Sequence, residues 1–167
     1  MIKDSGDRRQ FPSGGVRDMA EGKGRCDLMP LDVVAGILEG VNSDRDAIIM
    51  NIGYFQESGD YKYLIDALVM FCHEHYGGDV ETMLLEVAKH FEDGAKKYAE
   101  NNWRLGLNAK CYVDSGVRHY LKHMRGDTDE PHDRAFVWNM MCCCWTVKHI
   151  PELNDYAKKN EGGDGDK

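Results

Sequence analysis

Five ionisable side chains crowd one short stretch of this chain: Asp127, Asp129, Glu130, His132 and Asp133. Glu130 and Asp133 stand three apart, so both carboxylates can reach one Mg²⁺ ion, which prefers oxygen ligands. His132 between them is placed to orient or deprotonate a water. Pro131 suits the first position of a helix, and at a helix start these acids have a second use. Carboxylates in the first turn each stabilise a helix by about 0.3–1 kcal/mol, and Glu130 with Asp133 can act as a cap.

Upstream, Ser115, Arg118, His119 and Lys122 share the polar side of a helical pattern. Three potential cations and a hydroxyl suit a polyphosphate, and arginine can grip phosphate bidentately. A polar back face is also what any amphipathic helix needs. Glu86, His90, Asp93 and Lys97 recur at i, i+4, i+7 and i+11 on another helix. Carboxylates there could hold Mg²⁺, or Asp93 and Lys97 form an ordinary surface ion pair. Gly22-Lys23-Gly24-Arg25 could wrap amides and two cations around a phosphate. It lacks the first glycine and the Ser/Thr of a Walker A loop, and a flexible solubilising arm is the plainer reading.

These groups need rigid elements behind them, and the patterning is helical throughout. A short apolar segment over 31–39 stops at Gly40. Asn42-Ser43-Asp44 offers a cap for a helix to about Ser58, and another runs from about Asp60 to Tyr76, ended by Gly77-Gly78. After the cap Asp79, the residues Val80, Leu84, Val87, Ala88, Phe91, Ala95 and Tyr98 form one apolar stripe reaching towards Asn101-Asn102. A fifth helix over about 109–125 buries Val113, Val117, Tyr120, Leu121 and Met124 and closes at Gly126. The sixth opens at Glu130-Pro131 with Arg134, Ala135, Trp138, Met141, Cys142 and Trp145 as its core stripe, flanked by His132, Phe136, Asn139 and Cys143. The expectation is an all-α bundle of about six helices, with an irregular N-terminal arm (1–30), a helical domain (31–158) and a disordered tail (159–167).

The 167 residues suffice for one core, and 42% hydrophobic with 30% charged residues are globular values. A net charge of −8 disfavours nucleic-acid polymers and anionic membranes as partners, without excluding a small nucleotide held by local cations. No run approaches the ~18 apolar residues of a membrane span, and Met1–Gln10 is too polar for a signal peptide. The chain reads as cytoplasmic. Its six cysteines then read as thiols, with Cys142, Cys143 and Cys144 as small core residues.

Six strings occur in one order: Gly24-Arg25-Cys26-Asp27-Leu28-Met29-Pro30, Gly94-Ala95-Lys96-Lys97-Tyr98, Asn101 to Gly106, Arg118-His119-Tyr120-Leu121, Asp129-Glu130-Pro131-His132, and Ala135 to Trp138-Asn139. The series resembles the phage dATP/dGTP diphosphohydrolase family, MazZ-like and allied to the all-α nucleotide pyrophosphohydrolases. The likeness covers about 11–30 and 83–147, with 39–82 as an insertion. Glu130-Pro131-His132-Asp133 fits the E-x-x-D half of the wider pyrophosphohydrolase pattern, and no E-x-x-E precedes it.

The resemblance implies metal-dependent hydrolysis of a purine deoxynucleoside triphosphate to monophosphate and pyrophosphate, with Mg²⁺ or Mn²⁺ as cofactor. It points to Lys97, Tyr98, Asn101, Trp103, Arg118, His119, His132 and Asn139, with Lys23 and Arg25 of the arm joining the nucleotide-binding set. His119 and His132 are the expected catalytic pair, and Asp129, Glu130, Asp133 and Glu86 the expected metal ligands. A homodimer or higher homo-oligomer is expected, in the host cytoplasm if phage-encoded. The alternative is a non-catalytic, sponge-like phage protein that sequesters a nucleotide.

Overall fold

The computed structural model of the chain describes residues 8–18, 26–29, 34 and 46–157. Among them are five α-helices: α1 (Asp46–Ser58), α2 (Lys62–Tyr76), α3 (Val80–Lys97), α4 (Ala109–Arg125) and α5 (His132–His149). Short 3-10 turns lie at Cys26–Leu28, Asn102–Leu105 and Pro151–Leu153. The architecture is all-α. The expected helix over 31–39 falls outside the described residues except at Val34, and so does the tail over 159–167.

The arm is less irregular than its composition implies. Two strands, β1 (Arg8–Gln10) and β2 (Val16–Asp18), pair antiparallel with Arg9 opposite Arg17. Strands of three residues are too short to show alternation, so only the turn chemistry betrays them. Gly14 takes φ +85°, a conformation that costs glycine little. Gly15 sits so close to the chain at 106 that a Cβ there would stand 2.6 Å from the Gly106 carbonyl oxygen. The hairpin is thereby pressed onto the bundle, with Ser13 Oγ donating to the same carbonyl at 2.7 Å.

Helices α4 and α5 run antiparallel, as the short connection between them requires. Tyr112 meets Thr146, Gly116 meets Met140, and His119 meets His132. Phe71 of α2 inserts beside this pair, with ring centroids 4.7 Å from Phe136 and 6.3 Å from Tyr120. All three rings are fully buried, and each such side chain stabilises the fold by roughly 1.5–3 kcal/mol. Cys142, Cys143 and Cys144 are buried thiols of this core, and burial raises all three thiol pKa values.

Two apolar stripes lie elsewhere than their periodicity suggests. On α3 the buried residues are Met83, Val87 and His90, whereas Val80, Leu84 and Leu85 are exposed. The helix is turned by about one residue position, which brings a histidine inward and leaves leucines outside. On α5 Ala135 and Cys142 of the expected stripe are buried, but so are His132, Phe136, Asn139 and Cys143 of the flanking one, while Arg134, Trp138, Met141 and Trp145 are half-buried. That helix starts at His132, with Pro131 capping it and Glu130 just ahead. No described helix is long and apolar enough to cross a membrane.

Candidate active site

A cavity of about 860 Å³ opens between the hairpin, the end of α3, the 98–103 segment, α4 and the start of α5. That volume lies in the range of small-molecule sites. Its aromatic side is formed by Phe91, Tyr98, Trp103, Tyr112 and Trp138. The Trp103 ring is held edge-on by Phe91 and Trp145, at centroid distances of 5.6 and 5.1 Å. Asn101 enters this segment at φ +58°, the left-handed region that asparagine tolerates better than most residues.

Cations line the same cavity, Arg17 among them with its guanidinium 5.8 Å from the Tyr112 ring centroid. Arg17 comes from β2 and donates from Nη2 to Asn139 Oδ1 at 2.6 Å and from Nη1 to the Cys111 carbonyl at 3.3 Å. Asn139 in turn donates to the Ala135 carbonyl at 2.7 Å, so its amide is fixed in orientation. Arg118 on α4 pairs with Asp114 one turn earlier, and the other oxygen of Asp114 accepts the Cys26 backbone N–H at 2.6 Å. Lys122 lies one further turn along, with its ammonium 3.5 Å from Asp129 Oδ2.

The last turns of α4 and the entry to α5 bring two histidines together. His119 Nδ1 and His132 Nδ1 are 2.9 Å apart, and His132 Nε2 lies 2.8 Å from Asp129 Oδ1. Glu130 Oε1 is 3.8 Å from His119 Nδ1 and 3.7 Å from His132 Nδ1. His132 is buried and His119 nearly so. Burial first, then the neighbouring His132, pulls the His119 pKa down to about 2, so this imidazole is neutral.

The expected residues divide accordingly. Tyr98, Asn101, Trp103, Arg118, His119, Asp129, Glu130 and Asn139 line the cavity, with His132 directly behind His119. Lys97 is not among the lining residues, and its ammonium sits 5.2 Å from the Tyr98 ring centroid. Asp133 and Glu86 face elsewhere. Asp133 accepts a hydrogen bond from the Tyr76 hydroxyl at 2.8 Å, and Glu86 pairs with Lys89 and lies 3.6 Å from Arg134 Nε. One turn of helix separates Asp133 from Glu130 less cleanly than their spacing suggests, because Glu130 precedes the helix rather than starting it. Lys23 and Arg25 lie outside the described residues.

Among the lining residues that the sequence-based expectation leaves out of the site are Arg17, Asp114 and Trp138. Asp114 four residues before Arg118 is a spacing that signals an ion pair. Trp138 is assigned by its spacing to the core stripe of α5, and His90, expected on the polar face of α3, turns inward to the cavity. Nothing local marks Arg17.

A helical frame holding arginines, an aromatic wall and an imidazole–carboxylate cluster around one cavity has the parts of a nucleotide-hydrolysing enzyme. The chain belongs to the dATP/dGTP diphosphohydrolase family, whose N-terminal model matches residues 56–156. The match thus takes in part of the 39–82 segment and all of α2 to α5. No curated protein and no solved structure matches the chain. Family membership makes the protein a hydrolase of the nucleoside triphosphate diphosphohydrolase class.

Proposed function

We propose that the cavity takes a purine deoxynucleoside triphosphate, dATP or dGTP, and that the chain hydrolyses it with a divalent metal ion to the monophosphate and pyrophosphate. The observation that carries this reading is the meeting of an aromatic wall, two anchored arginines and the His119–Glu130–His132 cluster in one cavity. Trp103 and Tyr98 offer the base a stacking surface. Arg17 and Arg118 neutralise phosphate charge, and their fixed partners mean that little reorganisation is needed as charge develops. Such a site works mostly by positioning and electrostatics.

The donor set fits a metal. One atom each from His119, Glu130 and His132 lies within 4.8 Å of the others, and Asp129 stands behind His132. A divalent ion bound by these donors would supply electrophilic stabilisation to the phosphate oxygens. Glu86 and Asp133 drop out of the ligand set, since other partners hold them elsewhere. Water adding to the α-phosphorus breaks the α–β bond and releases pyrophosphate.

Self-association is part of the proposal. The exposed Val80, Leu84 and Leu85 give α3 an apolar outer strip that a second copy would cover. Sedimentation at micromolar concentration should show a dimer or larger species, and a monomer there would reject it. For the reaction, ion-exchange analysis after incubation with dATP or dGTP and Mg²⁺ or Mn²⁺ should yield monophosphate and pyrophosphate. Tight nucleotide binding with no product under saturating metal would reject the hydrolytic reading.

A further inference from the structure

We propose that His119 Nδ1, His132 Nδ1 and Glu130 Oε1 form a three-ligand site for a first-row transition-metal ion such as Mn²⁺, Co²⁺ or Zn²⁺, so that both imidazoles are ligands rather than free bases. The inference rests on the hydrolytic reading only in that the ion would face the nucleotide cavity.

The geometry of the three donor atoms is the first support. Their separations are 2.9, 3.7 and 3.8 Å. In a triangle of those sides, one point stands about 2 Å from all three corners, the distance at which such ions take imidazole nitrogen and carboxylate oxygen. Glu130 is directed between the two rings yet lies beyond hydrogen-bond reach of either, where a bond would need at most about 3.2 Å. A largely buried carboxylate that spans two imidazoles without bonding to them is arranged for a cation between all three.

The second support is the orientation of His132. Its Nε2 lies 2.8 Å from Asp129 Oδ1, and a carboxylate only accepts, so Nε2 carries the proton. In the neutral ring Nδ1 then presents its lone pair, directed at His119 Nδ1 at 2.9 Å. Carboxylate behind imidazole is the arrangement that commonly orients metal-binding histidines. Asp129 therefore acts as a positioning residue, steadied by Lys122 at 3.5 Å. His119 and Glu130 also line the cavity, which leaves the ion open positions on that side, as catalytic sites require.

The donor chemistry selects the ion. Mg²⁺ seeks an all-oxygen, nearly octahedral shell and keeps much of its water. Two nitrogens and one oxygen suit the first-row transition ions. The pair could instead be held by a plain hydrogen bond from His119 Nδ1–H to His132 Nδ1, and the two arrangements are separable.

Full-length protein, stripped by chelation, is titrated with Co²⁺ while its visible absorption is followed, and with Zn²⁺ and Mg²⁺ by calorimetry. The expected result is one equivalent of Co²⁺ with a saturable visible band, displaced by Zn²⁺ and not by millimolar Mg²⁺. Glu130→Gln and His119→Gln should each weaken Co²⁺ binding at least 10-fold with the helical circular-dichroism signal intact. Asp129→Asn should weaken it by about 10–100-fold, as for other residues behind metal ligands. Absence of the band, or Co²⁺ affinity unchanged in Glu130→Gln and His119→Gln, overturns the site. Hydrolysis of dATP by a chain that takes no Co²⁺ would overturn this site and leave the proposed reaction standing. A tight Co²⁺ site in a chain without hydrolytic activity would support the site and reject the reaction.

Discussion

Arg17 and Asn139 are 122 positions apart in the chain, yet the guanidinium donates to the Asn139 amide oxygen at 2.6 Å. That bond ties the β-hairpin to the middle of α5 and sets an arginine on the cavity wall. Asn139 is almost wholly buried, and its own amide is anchored to the Ala135 carbonyl. The asparagine thus positions the arginine on the cavity wall.

Asn139→Leu should therefore act through Arg17. A hydrogen bond to a charged group is worth about 1.5–3 kcal/mol, so KM for the nucleotide should rise on the order of 10-fold or more. The helical signal should remain, since leucine fills a similar volume. Steady-state kinetics with a thermal melt would check this, with Arg17→Met as reference. An unchanged KM would make Asn139 a core residue only.

Arg118 lines the cavity and pairs with Asp114, so its removal makes a prediction for binding and another for stability. Its partner Asp114 has a side chain only 9% exposed, and removing the arginine strands that carboxylate. Arg118→Ala should lose nucleotide-induced stabilisation and also cost about 3 kcal/mol in the free protein. Adding Asp114→Asn should recover part of that stability without restoring affinity. Chemical denaturation with and without dATP separates the two effects, and a lone Arg118→Ala that unfolds like wild type would contradict the pairing.

His90 makes a pH prediction. Burial, then the charge of Arg134, lowers its pKa to about 4, against about 6.5 in an unfolded chain. Between those values the unfolded chain binds a proton that the folded chain refuses. Stability present above pH 6.5 is therefore lost as pH falls towards 4, by an amount on the order of 3 kcal/mol from this group. His90→Gln should flatten the stability curve over that window. Equal slopes for the two proteins in denaturation at stepped pH would count against the assignment.

The helices were legible because their signals are local: the Asp79 cap, the Gly77 and Gly126 stops, and apolar spacing over several turns. The rotational setting of α3 was not, since Leu84 and His90 compete for the core and only tertiary packing decides which goes in. Placing Arg118, His119, Asp129, Glu130 and Asn139 around one cavity is likewise consistent with their order in the chain, because α4 and α5 are joined by a short loop and must face each other. Arg17 could not be foreseen. Its partner lies at the far end of the chain, and the hairpin that delivers it has strands too short for any periodicity. Asp133 three residues after Glu130, and Glu86 one turn before His90, have spacings that suit a metal, but Asp133 accepts from Tyr76 and Glu86 lies against Lys89 and Arg134.

The central claim is attack at the α-phosphorus of a purine deoxynucleoside triphosphate, and isotope labelling tests it most directly. Turnover of dATP or dGTP in ¹⁸O-water, followed by mass spectrometry of both products, shows which phosphorus water reached. One ¹⁸O in the monophosphate and none in the pyrophosphate is the expected result. Label in pyrophosphate, or products consisting of diphosphate and orthophosphate, would contradict it.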